Sequence, residues 1–405
     1  MKMFCATTRE IDEADIAVSE ILEQLDLPKN QLKNSVGLIA MFGEFYDTGV
    51  YSAIVNALPF PCIGYSPSFF GSNGESGDML LSVMIMTSDE NEFDVFKLDY
   101  VKTLNETEIS KTREHIAKTA AEIFSKGRPS LILPYWVLNS DVSSDDMLSL
   151  VDEYFEQVPL YGSVLFSSAA GHFLGFSCIG DGKKLENEAI FIAVYGELKP
   201  NFMVVSGVNE TVTLHNSVKV TKSESNTLYE VNNIPMTEYL HSIGVLDSSF
   251  NSESLWVLPA LLEDKERGIT KVRAFMGISQ HCPTAFYASG NIETGSTVYF
   301  GQLDSEATNK SARDAFEKLA NIGADCFLGI SCIARAWSNG TQYLKEFYDV
   351  AEIYEKHKAE TGKELSYQII NSGGEICPVK DKNGNWVNTL HNYSLAICYF
   401  TDTDA

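Results

Sequence analysis

Short apolar runs alternate with amphipathic helical stretches along the chain, the pattern of an α/β protein with parallel segments rather than an all-α bundle or a β-sandwich. Thr7-x-x-Glu10 reads as a capping box, and Ile11, Ala14, Val18, Ile21, Leu22 and Leu25 after it share one helical face. Ser143-x-x-Asp146 opens a second helix with Met147, Leu150, Val151, Tyr154 and Phe155 on its inner stripe, and a third spans 309–322 through Ala312, Phe316, Leu319 and Ala320. A larger unit recurs: an apolar strand, a polar loop, a helix, then a second strand entering a turn rich in Gly or Ser. It occupies 36–41, 51–58 and 61–66, then 131–138, 147–158 and 159–163, then 327–334, 343–357 and 367–375. Each copy has what a right-handed βαβ crossover needs.

Between the second and third copies the texture changes to shorter alternating strands. Segments 218–221 and 229–231 flank the polar 223–227 as a hairpin would, and 270–276 and 296–300 alternate with period two. A junction within 201–207, after the apolar run 191–195, divides the chain into domains 1–203 and 204–405. The expected class is α/β, each domain a mixed sheet flanked by helices in an α-β-β-α layering.

Composition narrows the partners. Lys and Arg number 30 against 55 Asp and Glu, a net charge of −25, so the clustered positive charge that nucleic acid or an anionic membrane surface requires is missing. No apolar run reaches the ~18–20 residues of a membrane span, and the first residues lack a secretory pattern, so a cytoplasmic protein is expected. Eight cysteines are scattered without a Cys-x-x-Cys pair, as reduced, buried thiols are, and no disulfide is expected.

An ordered set of segments resembles the FIST family, a sensory module. In the N-terminal part it comprises Val36-Gly37-Leu38-Ile39, Cys62-Ile63-Gly64-Tyr65-Ser66 and Pro159-Leu160-Tyr161-Gly162. In the C-terminal part it includes Asn226-Thr227-Leu228-Tyr229-Glu230-Val231, Lys271-Val272-Arg273-Ala274, Ser331-Cys332-Ile333-Ala334-Arg335, Gly374-Glu375-Ile376-Cys377-Pro378 and Leu390-His391-Asn392-Tyr393-Ser394. Pro67-Ser68-Phe69-Phe70 stands where the family more often has Thr-Gly-Glu. The resemblance implies a sensor of small ligands, amino acids being the usual suggestion. It also implies a separate signalling partner, such as a histidine kinase or chemoreceptor.

The residues themselves point to a C-terminal cluster of Arg335, Asn371, Glu375, His391 and Asn392, with Cys332 beside it, because a parallel βαβ unit brings the loop after strand 327–334 next to the turn at 371–375. An α-amino acid needs a planar donor fork and an anionic acceptor, which Arg335 and Glu375 supply in kind. The competing reading makes them an internal ion pair. No metal-ligand spacing, dinucleotide fingerprint or Gly-x-Ser-x-Gly elbow occurs, so no catalytic, metal or cofactor residue is assigned. Two alternatives stay open: a haem-binding gas sensor using His281, Cys282 or Cys332, and an enzyme with Cys332 or Cys377 as nucleophile and His391 as base. Acidic pairs such as Asp145-Asp146 read as solvated faces.

Overall fold

The computed structural model describes residues 1–77, 79–99, 106–137, 143–165, 177–179, 188–213, 217–246, 256, 258–264, 267–279 and 281–401. Three units of the same design follow one another. The first comprises strand Lys2–Thr8, helix Ala14–Leu25, strand Asn34–Met41, helix Val50–Ala57, strand Cys62–Tyr65 and strand Leu81–Ser88. The second comprises Glu92–Asp99, helix Glu106–Ser125, Leu131–Val137, helix Ser144–Tyr154, Gly162–Leu165 and Glu188–Tyr195. The third comprises Asn201–Ser206, helix Ser305–Asn321, Cys326–Cys332, helix Lys345–Thr361, Ser366–Ser372 and Ser394–Phe400. In every unit the second and third strands are parallel neighbours joined by a helix, as the recurrent sequence pattern predicts. The last strand lies between the first and second, antiparallel to both.

This arrangement leaves one edge of each third strand open, and each edge is filled by a strand from another unit. The hairpin Phe70–Ser72 and Glu75–Ser76 of the first unit pairs with Ser366–Ser372 of the third. Strand Ser177–Ile179 of the second pairs with Cys62–Tyr65 of the first, and the hairpin Gly374–Lys380 and Trp386–His391 of the third pairs with Gly162–Leu165 of the second. The exchange closes a ring, and strands from both sides of residue 203 share its sheets.

Strand alternation turns Val36, Leu38 and Ala40, Leu131, Leu133 and Tyr135, and Cys326, Leu328 and Ile330 into one central core common to the three units. The opposite faces carry the helices: Ala17, Ile21 and Ile54 cover Ile39 and Ile85, Leu150 and Val151 cover Ile132 and Phe191, and Phe316 and Phe347 cover Phe327 and Ile369. The mixed sheets flanked by helices expected from the sequence are therefore present three times.

Beside them stands an antiparallel barrel, inserted in the third unit between Ser206 and Ser305. Strands Val218–Glu224, Thr227–Val231, Phe286–Ala288, Ile269–Ile278, Pro259–Asp264 and Thr297–Leu303 pair in that order, and the last returns to the first, closing the ladder. Its interior holds Val220, Leu228, Ala260, Phe275, Phe286, Val298 and Phe300, and helix Met236–Ser242 contributes Met236 and Leu240 to the same cluster.

Local signals are met unevenly. Ser143 caps its helix by accepting from the Asp145 amide at 3.2 Å. The box at Thr7 does not form, because residues 2–8 are claimed by the sheet; helix Ala14–Leu25 starts later, after Glu10 has accepted from the Asp12 and Glu13 amides at 2.9 Å each. The third helix starts at Ser305, where Asp304 accepts from the Ala307 amide at 2.7 Å.

Because the units complete one another, damage to one exchanged element should unfold the ring as a whole. Phe70→Ala, at a buried position of the hairpin contributed by the first unit to the third, should lose about 3–5 kcal/mol. Urea unfolding followed by amide exchange in both halves should show one transition, and separate transitions for the first and third units would contradict the ring.

Candidate functional site at the barrel junction

Helix Ile333–Ser338 begins where strand Cys326–Cys332 ends, and this abrupt change delivers Arg335 beneath the junction of ring and barrel. Its guanidinium, 1% exposed, donates from Nε and Nη2 to Glu346 Oε2 at 2.9 and 2.8 Å, and from Nη2 to the Thr308 carbonyl at 3.0 Å. Arg335 is thus spent on an internal pair with Glu346, in the first turn of helix Lys345–Thr361, rather than with Glu375. Burial demands this: an unpaired guanidinium would face the full cost of desolvation.

Glu375 lies in the strand that the third unit contributes to the second. Register sets it between Ser163 on one side and His391 on the other, so the three share one sheet face. The carboxylate is fully buried, and neither of its oxygens nor Ser163 Oγ makes a hydrogen bond of normal geometry. Burial pushes the Glu375 carboxyl well above the usual range; the nearby Ser394 amide, Arg335 and Cys332 thiol act in the opposite sense and are outweighed. Because Glu375 separates Ser163 from His391 by two strand spacings, ~10 Å, no hydroxyl–imidazole pair is assembled there.

His391 is half-buried. Its Nε2 lies 3.1 Å from the Cys377 carbonyl, which can only accept, so that nitrogen carries the proton and Nδ1 is left as an acceptor. Burial, with Arg273 acting in the same sense, pushes the imidazole down to about 4 and keeps it neutral. Asn392 Oδ1 accepts from Ser289 of the barrel at 2.7 Å while its Nδ2 donates to the Gly373 carbonyl at 3.3 Å. Cys332, 2% exposed, packs against Val272 and Ala274 of the barrel, and burial, then Glu375, pushes its thiol well above the usual range. Burial raises the Cys377 thiol likewise. Neither sulfur has the lowered pKa of an activated nucleophile.

Asn371 is separated from this group. Pairing with Ser331 puts it on the sheet face of Ile369, opposite Cys332 and Ser372, and its Nδ2 donates to the Ser331 carbonyl at 3.3 Å. The expected cluster thus divides by strand parity.

A cleft of about 270 Å³ opens between the ring and the barrel. Ring residues Ser206, Thr389, His391, Asn392 and Ser394 face Ile269, Thr270 and Val272 of the barrel across it. Of the six candidate residues, His391 and Asn392 line it. Its polar groups are hydroxyls, an amide and an imidazole, with no ionised side chain among them.

Sequence reasoning missed the residues that hold this junction. Arg273 of the barrel, fully buried, donates from Nη2 to Asp145 Oδ2 at 2.7 Å and from Nη1 to the Leu390 carbonyl at 3.1 Å. The Asn291 amide reaches the same Asp145 oxygen at 2.7 Å, and Asn291 Nδ2 and Ser225 Oγ donate to the two oxygens of Asp146 at 2.6 and 2.7 Å. The acidic pair expected as a solvated face is therefore a docking point, because the barrel folds back onto the helix start that carries it. The one signal available beforehand was Arg273 standing between the apolar Val272 and the apolar run Ala274–Met276.

The family model of the FIST N domain matches residues 37–234. The chain carries a FIST N domain. FIST domains are small-ligand sensor domains of signal transduction. The matched segment runs from the second strand of the first unit into the barrel, so the FIST N domain supplies most of two units but neither His391 nor Arg335. No curated protein matches the chain. Among solved structures, phosphoribosylformylglycinamidine synthase II from Thermotoga maritima is 9% identical, over 98% of this chain and 71% of that one, at a TM-score of 0.19, too low to bear on the fold. Among the described residues no helix is long and apolar enough to cross a membrane, and no group of three or more His, Cys, Asp or Glu is placed to hold a metal ion.

Two measurements check the electrostatics. Glu346→Ala should lose about 3–5 kcal/mol by stranding Arg335. Glu375→Gln should do the reverse: the folded carboxyl stays protonated while the unfolded one ionises above about 4.5, so parental stability falls as pH rises and the variant's advantage grows. His391 has the opposite sign. With 6.5 unfolded and about 4 folded, its contribution is present above pH 6.5 and lost as pH falls through 4, up to roughly 3 kcal/mol. Urea melts of parent, Glu375→Gln and His391→Asn from pH 4 to 9 separate the two.

Proposed function

We propose that the protein is a non-enzymatic cytoplasmic sensor that takes a small polar ligand, of amino-acid size, into the junction cleft and relays its presence to a separate signalling protein, such as a histidine kinase or chemoreceptor. The observation that carries this reading is the position of the cleft: its walls belong to two bodies, the ring and the barrel, so an occupant contacts both. Its volume lies just below the ~300 Å³ at which pockets for drug-sized ligands begin, which suits a metabolite and not a macrocycle. The hydroxyls of Ser206, Thr270, Thr389 and Ser394 and the Nδ1 acceptor of His391 offer neutral hydrogen-bonding partners on a background of aliphatic groups.

Two alternatives find less support. Of the residues suggested as haem ligands, His281 is exposed and the adjacent Cys282 half-buried before strand Phe286–Ala288, and Cys332 alone is buried as an axial ligand in an enclosed pocket would be. The thiols suggested as nucleophiles are held protonated.

The test is a thermal-shift screen of free amino acids and related polar metabolites. A specific ligand at about 100 times its dissociation constant should add ~2.7 kcal/mol. Thr270→Trp, which fills the cleft from the exposed barrel side, should abolish the shift with little change in the unliganded melt. A flat screen, or a shift that Thr270→Trp leaves intact, would refute the cleft as the sensory site.

A further inference from the structure

We infer that the barrel is the moving reporter of the protein: a paired hinge tethers it at one side, a latch of two aspartates holds it at another, and an occupant of the cleft sets its position by touching both. Its role as a relay rests on the sensor reading above; the motion itself does not.

The hinge is narrow. The chain enters the barrel through Gly207 and leaves it through Asp304, and Val208 and Leu303 on either side are register partners, so both connections cross at one place. Gly207 donates its amide to the Tyr393 carbonyl at 2.8 Å and accepts from Thr308 Oγ1 at 3.2 Å. A side chain there would have its Cβ 2.9 Å from both Arg335 Nη1 and Thr308 Oγ1. The close approach requires glycine, and it places the buried Arg335–Glu346 pair directly under the tether.

The barrel has a core of its own, so it can turn as a body about such a tether. Turning is opposed by the latch, Asp145 with Arg273 and the Asn291 amide and Asp146 with Asn291 and Ser225, together with the apolar contact of Val272 and Ala274 on Cys332 and Tyr393 and the Ser289–Asn392 hydrogen bond. Gly290 makes room for it, since a Cβ there would press on Asp145 Oδ2 and on Arg273 Nε. The cleft lies between these two constraints. Ser206 in its wall adjoins the hinge glycine, Asn392 and Ser394 flank the Tyr393 that holds that glycine, and Val272 precedes Arg273. A ligand seated there touches the immediate chain neighbours of hinge and latch on both walls, which would give it different affinities for the docked and released positions.

The molecule contains a reporter of this motion. Trp256 of the inserted segment stacks on Trp337 of helix Ile333–Ser338 with ring centroids 4.3 Å apart, so the indole pair should give a near-ultraviolet circular dichroism signal that depends on docking. Trp256→Phe identifies that signal. In the unliganded protein, Arg273→Met and, more gently, Ser225→Ala with Asn291→Ala should bring it toward the Trp256→Phe level. Amide exchange in Pro259–Asp264 and Ile269–Ile278 should accelerate at least tenfold while Cys326–Cys332 and Ser366–Ser372 keep their protection. If Arg273→Met does not fold, the double variant decides. An unchanged indole signal with unchanged exchange, or equal loss of protection in ring and barrel, would overturn the hinge. Since no ligand is used, this result is independent of the metabolite screen.

Discussion

A parallel strand pair joined by a helix leaves the far edge of its second strand unsatisfied, and the whole molecule is organised by how those edges are closed. Exposed edges cost hydrogen bonds and invite association. Here each of the three units covers the edge of another, and because the exchanges run in a circle no unit is complete by itself. The common core follows from the same constraint. Three sheets that share strands must face one another, and their inward rows merge into a single cluster.

The candidate site is a consequence of one of these exchanges. When Gly374–Lys380 crosses to the second unit, it takes Glu375 away from its own βαβ pair and sets it beside Ser163, and it brings the hairpin partner Trp386–His391 to the rim of the ring. The inserted barrel docks on that rim through Leu390, Asn392 and the start of helix Ser144–Tyr154. Two buried arginines then perform different tasks: Arg335 stabilises the interior of the third unit under the tether, while Arg273 bridges the barrel to the second unit. With both neutralised by carboxylates, the cleft between them is left lined by uncharged donors and acceptors.

FIST N domain membership bears on residues 37–234, yet the physical units have other limits. The matched segment ends inside the barrel, after strand Thr227–Val231, and the strands that complete that barrel come later in the chain. The cleft likewise draws on segments beyond the matched one, since Ser206 meets Ile269, Thr270 and Val272 of the barrel and Val379, Thr389, His391, Asn392 and Ser394 of the ring around it.

Much of the local architecture was legible beforehand. Period-two and helical patterning located all three βαβ pairs, the hairpin around Ser225, and the strands that carry Arg273 and Tyr299, because those patterns depend on neighbours within a few residues. Sequence also brought Arg335, Glu375, His391 and Asn392 into consideration, as charged or polar residues at strand ends are few. What it could not decide was partnership. Arg335 chose Glu346 over Glu375, Asn371 fell on the opposite sheet face, Thr7 was drawn into a strand instead of a cap, and Asp145 and Asp146 became a docking point. Each of these depends on which edge a distant strand fills or which body folds back on which helix, and such contacts are settled by long-range packing, to which no pattern within one segment responds.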